Sequence, residues 1–261
     1  MKGKDEDLPI KPIKDNRFKF RCHKDIECFT ECCGNLNLIL TPYDIIRLKK
    51  RLNVSSDIFL EDYTETRFDN RSRFPMVYLK MREDKDGRCP FVAHEGCTIY
   101  EDRPGACRIY PLGRAATKAD GKRDATERFF IVSEKHCMGF NEDKEWTIEE
   151  WMGNEGVSEY NALNDKWMEI ITSSENLGQN KDLTRKIQMF NMASYNLDRF
   201  REFIFGSRFL DLFDVESDLK ERLASDDREL MLFAFRWLRF SLFGEKTLQI
   251  RPDKKGHLAK A

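Results

Sequence analysis

Eight cysteines crowd between Arg21 and Phe140, and none occurs in the long stretch that follows. No other feature constrains the fold of this chain as strongly. Four lie in RCHKDIECFTECCGN, Arg21 to Asn35, where Cys32 and Cys33 are adjacent. The order is Cys22-x5-Cys28-x3-Cys32-Cys33, then Cys89-x7-Cys97-x9-Cys107, then Cys137. The break in cysteine usage marks the expected domain boundary. A tail over residues 1–19 precedes a cysteine domain over 20–140, and a helical domain over 141–250 precedes a second tail over 251–261. The cysteine part is also rich in loops, since EDKDGRCP, DRPGAC and ATKADGKRD are punctuated by Gly, Pro and Asp.

The role of so many thiols depends on compartment. The opening MKGKDEDLPIKPIKDNRFKF is charged throughout and has no apolar core, so it does not read as a secretory signal. No stretch approaches the ~18 uncharged apolar residues of a transmembrane helix. A cytoplasmic, reducing setting is expected, where cysteines serve as metal ligands or redox groups more often than as disulfides. Lys plus Arg (45) nearly cancels Asp plus Glu (46), so no overall field draws the chain to nucleic acid. With 40% apolar residues over 261 positions the chain can bury a proper core.

The expected class is α+β and mostly helical: a loop-rich metal-binding half, then an all-helical half. TPYDIIRLKKRLN predicts a helix, with Thr41 as N-cap, Pro42 at the first turn, Asp44 against the helix dipole, and Ile45, Leu48 and Leu52 on one face. SSDIFLEDYTETRF predicts a second, capped by Ser56. PMVYLK and RFFIV read as strands. LTRKIQMFNMASYNLDRFREFIF predicts one long amphipathic helix, striped by Leu183, Ile187, Phe190, Ser194, Leu197, Phe200 and Ile204. DRELMLFAFRWLRFSLFG is apolar almost all round, as a central helix is, and TIEEWMGNEGVSEYNALNDKWMEIIT supplies one or two more.

Three chemistries compete for the cysteines. An iron–sulfur cluster needs several thiolates converging from loops. Structural zinc needs four N/S ligands, usually in C-x2-4-C knuckles. A redox dithiol needs two thiols in reach, usually as C-x-x-C. The chain contains no C-x-x-C, which disfavours the dithiol and paired zinc knuckles, although Cys28-x3-Cys32 still suits zinc. Iron–sulfur therefore leads, with zinc as the alternative. A disulfide between Cys32 and Cys33 would close a strained ring. One of the pair is expected to ligate while Cys33 tolerates loss. Cys28, Cys32, Cys97 and Cys107 are expected to matter most. Pro104 can start a short helix directing Cys107. His23 and His136 adjoin cysteines and His94 lies between Cys89 and Cys97, which makes each either a candidate ligand, a donor to sulfur or a polar loop residue. Arg103 and Arg108 flank Cys107 and are expected beside the cofactor, offsetting thiolate charge; the bland alternative is surface ion pairing.

The ordered set C-x5-C-x3-C-C, CPF, GCTIYEDRPGACRIYP and a late HC, over roughly residues 20 to 140, resembles the YkgJ-like cysteine cluster family. That prokaryotic family is described as zinc- or iron-chelating and is sometimes labelled Fe–S oxidoreductase. The resemblance implies metal ligation by Cys22, Cys28, Cys32, Cys33, Cys89, Cys97, Cys107 and Cys137, a cluster such as 4Fe–4S or alternatively zinc, and a redox partner or protein substrate. The flagellin lysine-N-methylase looks similar across its cysteines and implies a second possibility, an S-adenosylmethionine-dependent protein methylase. This chain is shorter and lacks a strand-plus-glycine-loop signature for that donor. It also lacks the C-x3-C-x2-C triplet of radical enzymes. A zinc-stabilised interaction module is a third.

Overall fold

The structure, a computed structural model, describes residues 10–68, 72–117 and 126–252. Strands β1 (Ile10–Pro12) and β2 (Arg17–Lys19) come first, followed by helices α1 (Pro42–Leu52) and α2 (Ser56–Tyr63) and strands β3 (Thr64–Arg67) and β4 (Met76–Leu79). The turn-rich middle holds β5 (Val92–Ala93), β6 (Gly96–Cys97), α3 (Gly105–Ile109), β7 (Leu112–Thr117) and β8 (Thr126–Val132). After β9 (Glu145–Thr147) come α4 (Ile148–Asn154), α5 (Val157–Ile171), α6 (Asn180–Tyr195) and α7 (Leu197–Gly206). The last are α8 (Phe209–Leu212), α9 (Ser217–Ser225) and α10 (Asp227–Phe243). Helix occupies 49% and strand 17%, so the class is α+β and mostly helical.

Two compact units emerge. One joins Met1–Leu36 to Met81–Asn161, and the other joins Asn37–Lys80 to Ala162–Ala261. All eight cysteines fall in the first. The segment carrying α1 to β4 leaves the cysteine region and groups with the C-terminal helices.

In the first unit, β1, β8 and β7 form an antiparallel sheet and β2 pairs with β9. Part of the expected N-terminal tail is therefore strand. Asp15 and Asn16 take positive φ of 53° and 55°, which Asp and Asn tolerate, and turn the chain between Lys14 and Arg17. Residues 1–9 and 253–261 of the two expected tails, and residues 118–125 of the ATKADGKRD loop, lie outside the described residues. Phe18, Phe20, Leu112, Ile131 and Trp151 form the core. Phe20 meets Tyr110 and Trp151 edge-on, with centroids 5.8 and 5.6 Å apart. Gly113 lies opposite Phe130 in the sheet, and a Cβ there would overlap the Phe130 ring. Gly113→Ala is expected to displace that ring and cost about 1–3 kcal/mol, read as a lower urea midpoint. An unchanged midpoint would mean that the ring moves freely.

In the second unit α1 begins as predicted. Thr41 Oγ1 accepts from Asp44 N–H, and Asp44 Oδ2 accepts from Thr41 N–H, closing a capping box. The cap of α2 is Ser55, not Ser56. Its Oγ accepts from Ile58 N–H, while the wholly buried Ser56 gives its own N–H to Asp198 Oδ2 at 2.7 Å. The predicted 183–204 helix is likewise two helices. Asn196 leaves the helical region (φ −110°, ψ 71°) and caps α7 by accepting from Arg199 N–H, and its Nδ2 donates to Asp57. Periodicity hides this break, because Phe190, Ser194, Leu197, Phe200 and Ile204 are buried on both sides of it. Strand β4 is buried along its whole length, and β8 covers the predicted RFFIV. As expected of a central helix, α10 packs against α1, α6, α7 and α9, and it ends at Gly244 with φ 71°. Among the described residues no helix is long and apolar enough to cross a membrane.

Candidate metal centre

The cysteines ride on loops, and hydrogen bonds between those loops hold them in place. Residues 23–33 wind through successive turns ending in a 3-10 turn at Glu31–Cys33, where Cys33 N–H reaches Thr30 O. The second loop is stitched to the first three times. Asn35 N–H donates to Gly87 O (2.9 Å), Cys89 N–H to Cys33 O (2.7 Å) and Arg88 Nη2 to Thr30 Oγ1 (2.8 Å). Gly87 is required here: its φ is +52°, and a Cβ would lie 2.5 Å from Asn35 Oδ1. The β5–β6 hairpin sets Cys97 opposite Val92. Pro104 precedes α3, as expected, and Cys107 N–H donates to Pro104 O. Cys137 lies just before the 3-10 turn Met138–Asn141, which Arg21 N–H anchors through Gly139 O. That anchoring lets Met138 N–H donate to Cys28 Sγ at 3.2 Å.

The sulfurs form one electrostatically continuous group. Cys22 feels the charges of Cys32, Cys137 and Cys28; Cys33 feels Cys32, Cys89 and Cys107; Cys89 feels Cys97. Burial is the first cause pushing Cys89, Cys97 and Cys137 upward, and it takes Cys22 to about 11, although that residue is exposed by surface area. Backbone N–H groups oppose the trend: those of Phe91 and Val92 favour the Cys89 thiolate, that of Ile99 favours Cys97 and that of Gly139 favours Cys137. The vicinal pair splits. Interaction between the two side chains lowers the Cys32 thiol and raises that of Cys33, so the thiolate is favoured at Cys32 and disfavoured at Cys33.

Arg103 is buried, pairs with Glu155, donates to Tyr100 O (2.6 Å) and stacks 3.8 Å over the Tyr100 ring. Its charge favours the Cys22 and Cys97 thiolates. Arg108 instead donates to the carbonyls of Arg103, Glu155 and Glu101 and lies over Tyr160, so it ties backbone together. The histidines face carboxylates: His23 lies 3.8 Å from Asp25 and 3.5 Å from Glu142, His94 lies 3.1 Å from Glu95, and His136 lies 3.3 Å from Glu134. The structure adds residues that the spacing did not single out. Arg88 favours the Cys32 thiolate and Arg82 that of Cys89. The one available signal was that Arg88 directly precedes Cys89. Glu134 Oε2 and the Tyr110 hydroxyl are buried without a regular hydrogen bond, and both act on the cysteines.

The family model of the CxxCxxCC domain, described as zinc- or iron-chelating, matches residues 21–144. Over residues 21–144 the chain is therefore similar to the YkgJ-like cysteine cluster family. The pattern in the domain's name is stretched in this YkgJ-like segment to C-x5-C-x3-C-C. Comparison with curated proteins and with solved structures finds no match.

The donor set of the YkgJ-like segment suits a thiophilic metal. Partly buried thiols that receive backbone N–H bonds hold thiolate cheaply once a cation offsets their charge. The Tyr110 hydroxyl, buried without a regular hydrogen bond, adjoins them. Among the described residues no three His, Cys, Asp or Glu side chains already meet at the spacing for one ion.

Proposed function

We propose that the cysteine group holds an iron–sulfur cluster of the four-iron type and that the chain exchanges electrons with a redox partner. The observation that carries it is the continuity of eight thiols from separate loops, several receiving backbone N–H donors. A tetrahedral zinc needs four N/S ligands, whereas this group offers twice that number and its histidines are turned to carboxylates. When bound, such a cluster supplies one-electron chemistry whose potential responds to N–H···S bonds and burial. The chain's own residues hold the thiolates and donate to their sulfurs. A reducing, cytoplasmic setting goes with this function, and all eight cysteines are free thiols.

Protein prepared anaerobically is expected to be brown, to contain iron and acid-labile sulfide, and to absorb broadly near ~400 nm with bleaching on reduction. Colourless protein with stoichiometric zinc would transfer the group to a structural zinc site.

A further inference from the structure

A cleft of about 530 Å³ opens between the 24–30 loop and the 82–94 loop, within the range of small-molecule sites. Three cations line it, Lys24, Arg82 and Arg88, against one carboxylate, Glu27. Phe29 and Val92 give it an apolar wall.

The two guanidinium groups are held before any ligand arrives. Arg82 Nη2 donates to Pro90 O and Val92 O, both at 3.0 Å, and Arg88 Nη2 donates to Thr30 Oγ1 at 2.8 Å. Among the described residues Nε and Nη1 of each arginine have no partner, and Lys24 is exposed and makes neither an ion pair nor a hydrogen bond. Two planar forks with open N–H edges and a free ammonium are what a phosphate or carboxylate needs, because charge-assisted bonds reward oxygen acceptors and preset forks lose little entropy. Their net charge also has no answering carboxylate beyond Glu27 in the cleft. Phe29 and Val92 add room for an apolar or aromatic body behind the anionic head.

We infer that this cleft binds a small organic anion, with Arg82, Arg88 and Lys24 on its phosphate or carboxylate head and Phe29 and Val92 against its apolar part. The site does not depend on which metal the cysteines hold. It is nonetheless adjacent to them, since the same two arginines act electrostatically on Cys32 and Cys89. A bound anion therefore sits beside the thiol group.

Phenyl phosphate titrated into the full chain as purified, by calorimetry, tests the site, with benzoate, inorganic phosphate and uncharged benzyl alcohol as companions. Phenyl phosphate is expected to bind one-to-one, to weaken with added salt and to outbind benzyl alcohol. A benzoate affinity above that of phenyl phosphate assigns the head to carboxylate, and the reverse assigns it to phosphate. Lys24→Glu, an exposed change that removes no hydrogen bond, is expected to weaken binding about tenfold or more. Arg82→Gln is a second variant that keeps a donor for Pro90 O and Val92 O and is expected to weaken it similarly. No saturable binding up to about 10 mM, equal binding of benzyl alcohol, or affinity unmoved by both variants would each overturn the site.

Discussion

Replacing Cys32 by serine is expected to strip nearly all bound metal from the protein, whereas replacing Cys33 leaves most of it in place. The two residues are chemical neighbours with opposite roles. Metals bind thiolates, and within this pair the thiolate is favoured at Cys32 and disfavoured at Cys33. Cys32 also neighbours the sulfurs of Cys22 and Cys137, so its loss opens a gap among three contributing loops. The backbone of Cys33 has separate work, since its carbonyl accepts from Cys89 N–H, and serine preserves that bond. Losing an outer-shell partner costs about 10–100-fold in metal affinity, and losing a ligand costs more. Metal per chain after gel filtration, followed by chelator competition, reads the difference. An empty site in Cys33→Ser beside a full one in Cys32→Ser would reverse the roles.

Lys49→Ala is expected to destabilise the helical unit by about 3–5 kcal/mol. The Lys49 side chain is only 8% exposed, and its Nζ lies 2.8 Å from Asp198 Oδ1 and 3.1 Å from Asp227 Oδ2. Arg201 bridges the same two carboxylates, and Ser56 N–H donates to Asp198. This network ties α1, the start of α2, α7 and α10. Removing the lysine leaves two partly buried carboxylates sharing one arginine, which costs more than the pair contributes. The double variant Lys49→Met with Asp198→Asn is expected to recover much of the loss. Burial alone would raise the Asp198 carboxyl, but bonds from Lys49 and Ser56 outweigh it and hold the group below its usual range. A depressed carboxyl stabilises the fold above the unfolded value of about 3.9 and stops doing so as pH falls through the lower folded value. Acid unfolding should thus steepen below about pH 4 in the parent and flatten in Asp198→Asn. A urea midpoint in Lys49→Ala equal to that of the parent would show the network to be dispensable.

Several features were legible from residues alone because they depend on contacts within about one helical turn. Thr41, Pro42 and Asp44 carry their own capping geometry, and the apolar run of α10 declares its burial. The ordered cysteines pointed to the domain that the family model matches over residues 21–144, since their spacing is a property of the chain itself. Asp15–Asn16 was readable in principle as a turn, and the charge around it masked the signal.

Other features arose only where distant segments met. The stripe from Phe190 to Ile204 is continuous in sequence, yet Asn196 interrupts the helix because Arg199 N–H and Asp57 give its side chain better partners than another helical turn would. Spacing treats Arg103 and Arg108 alike, and it is Glu155, some fifty residues on, that claims the side chain of one and the carbonyl partner of the other. Cys28 receives its N–H from Met138, and Cys33 offers its carbonyl to Cys89. The cysteine pattern by itself pointed to the zinc- or iron-chelating domain that matches residues 21–144. Which thiol is favoured as thiolate was left to the folded loops, because that preference depends on burial and on donors brought in from residues far along the chain.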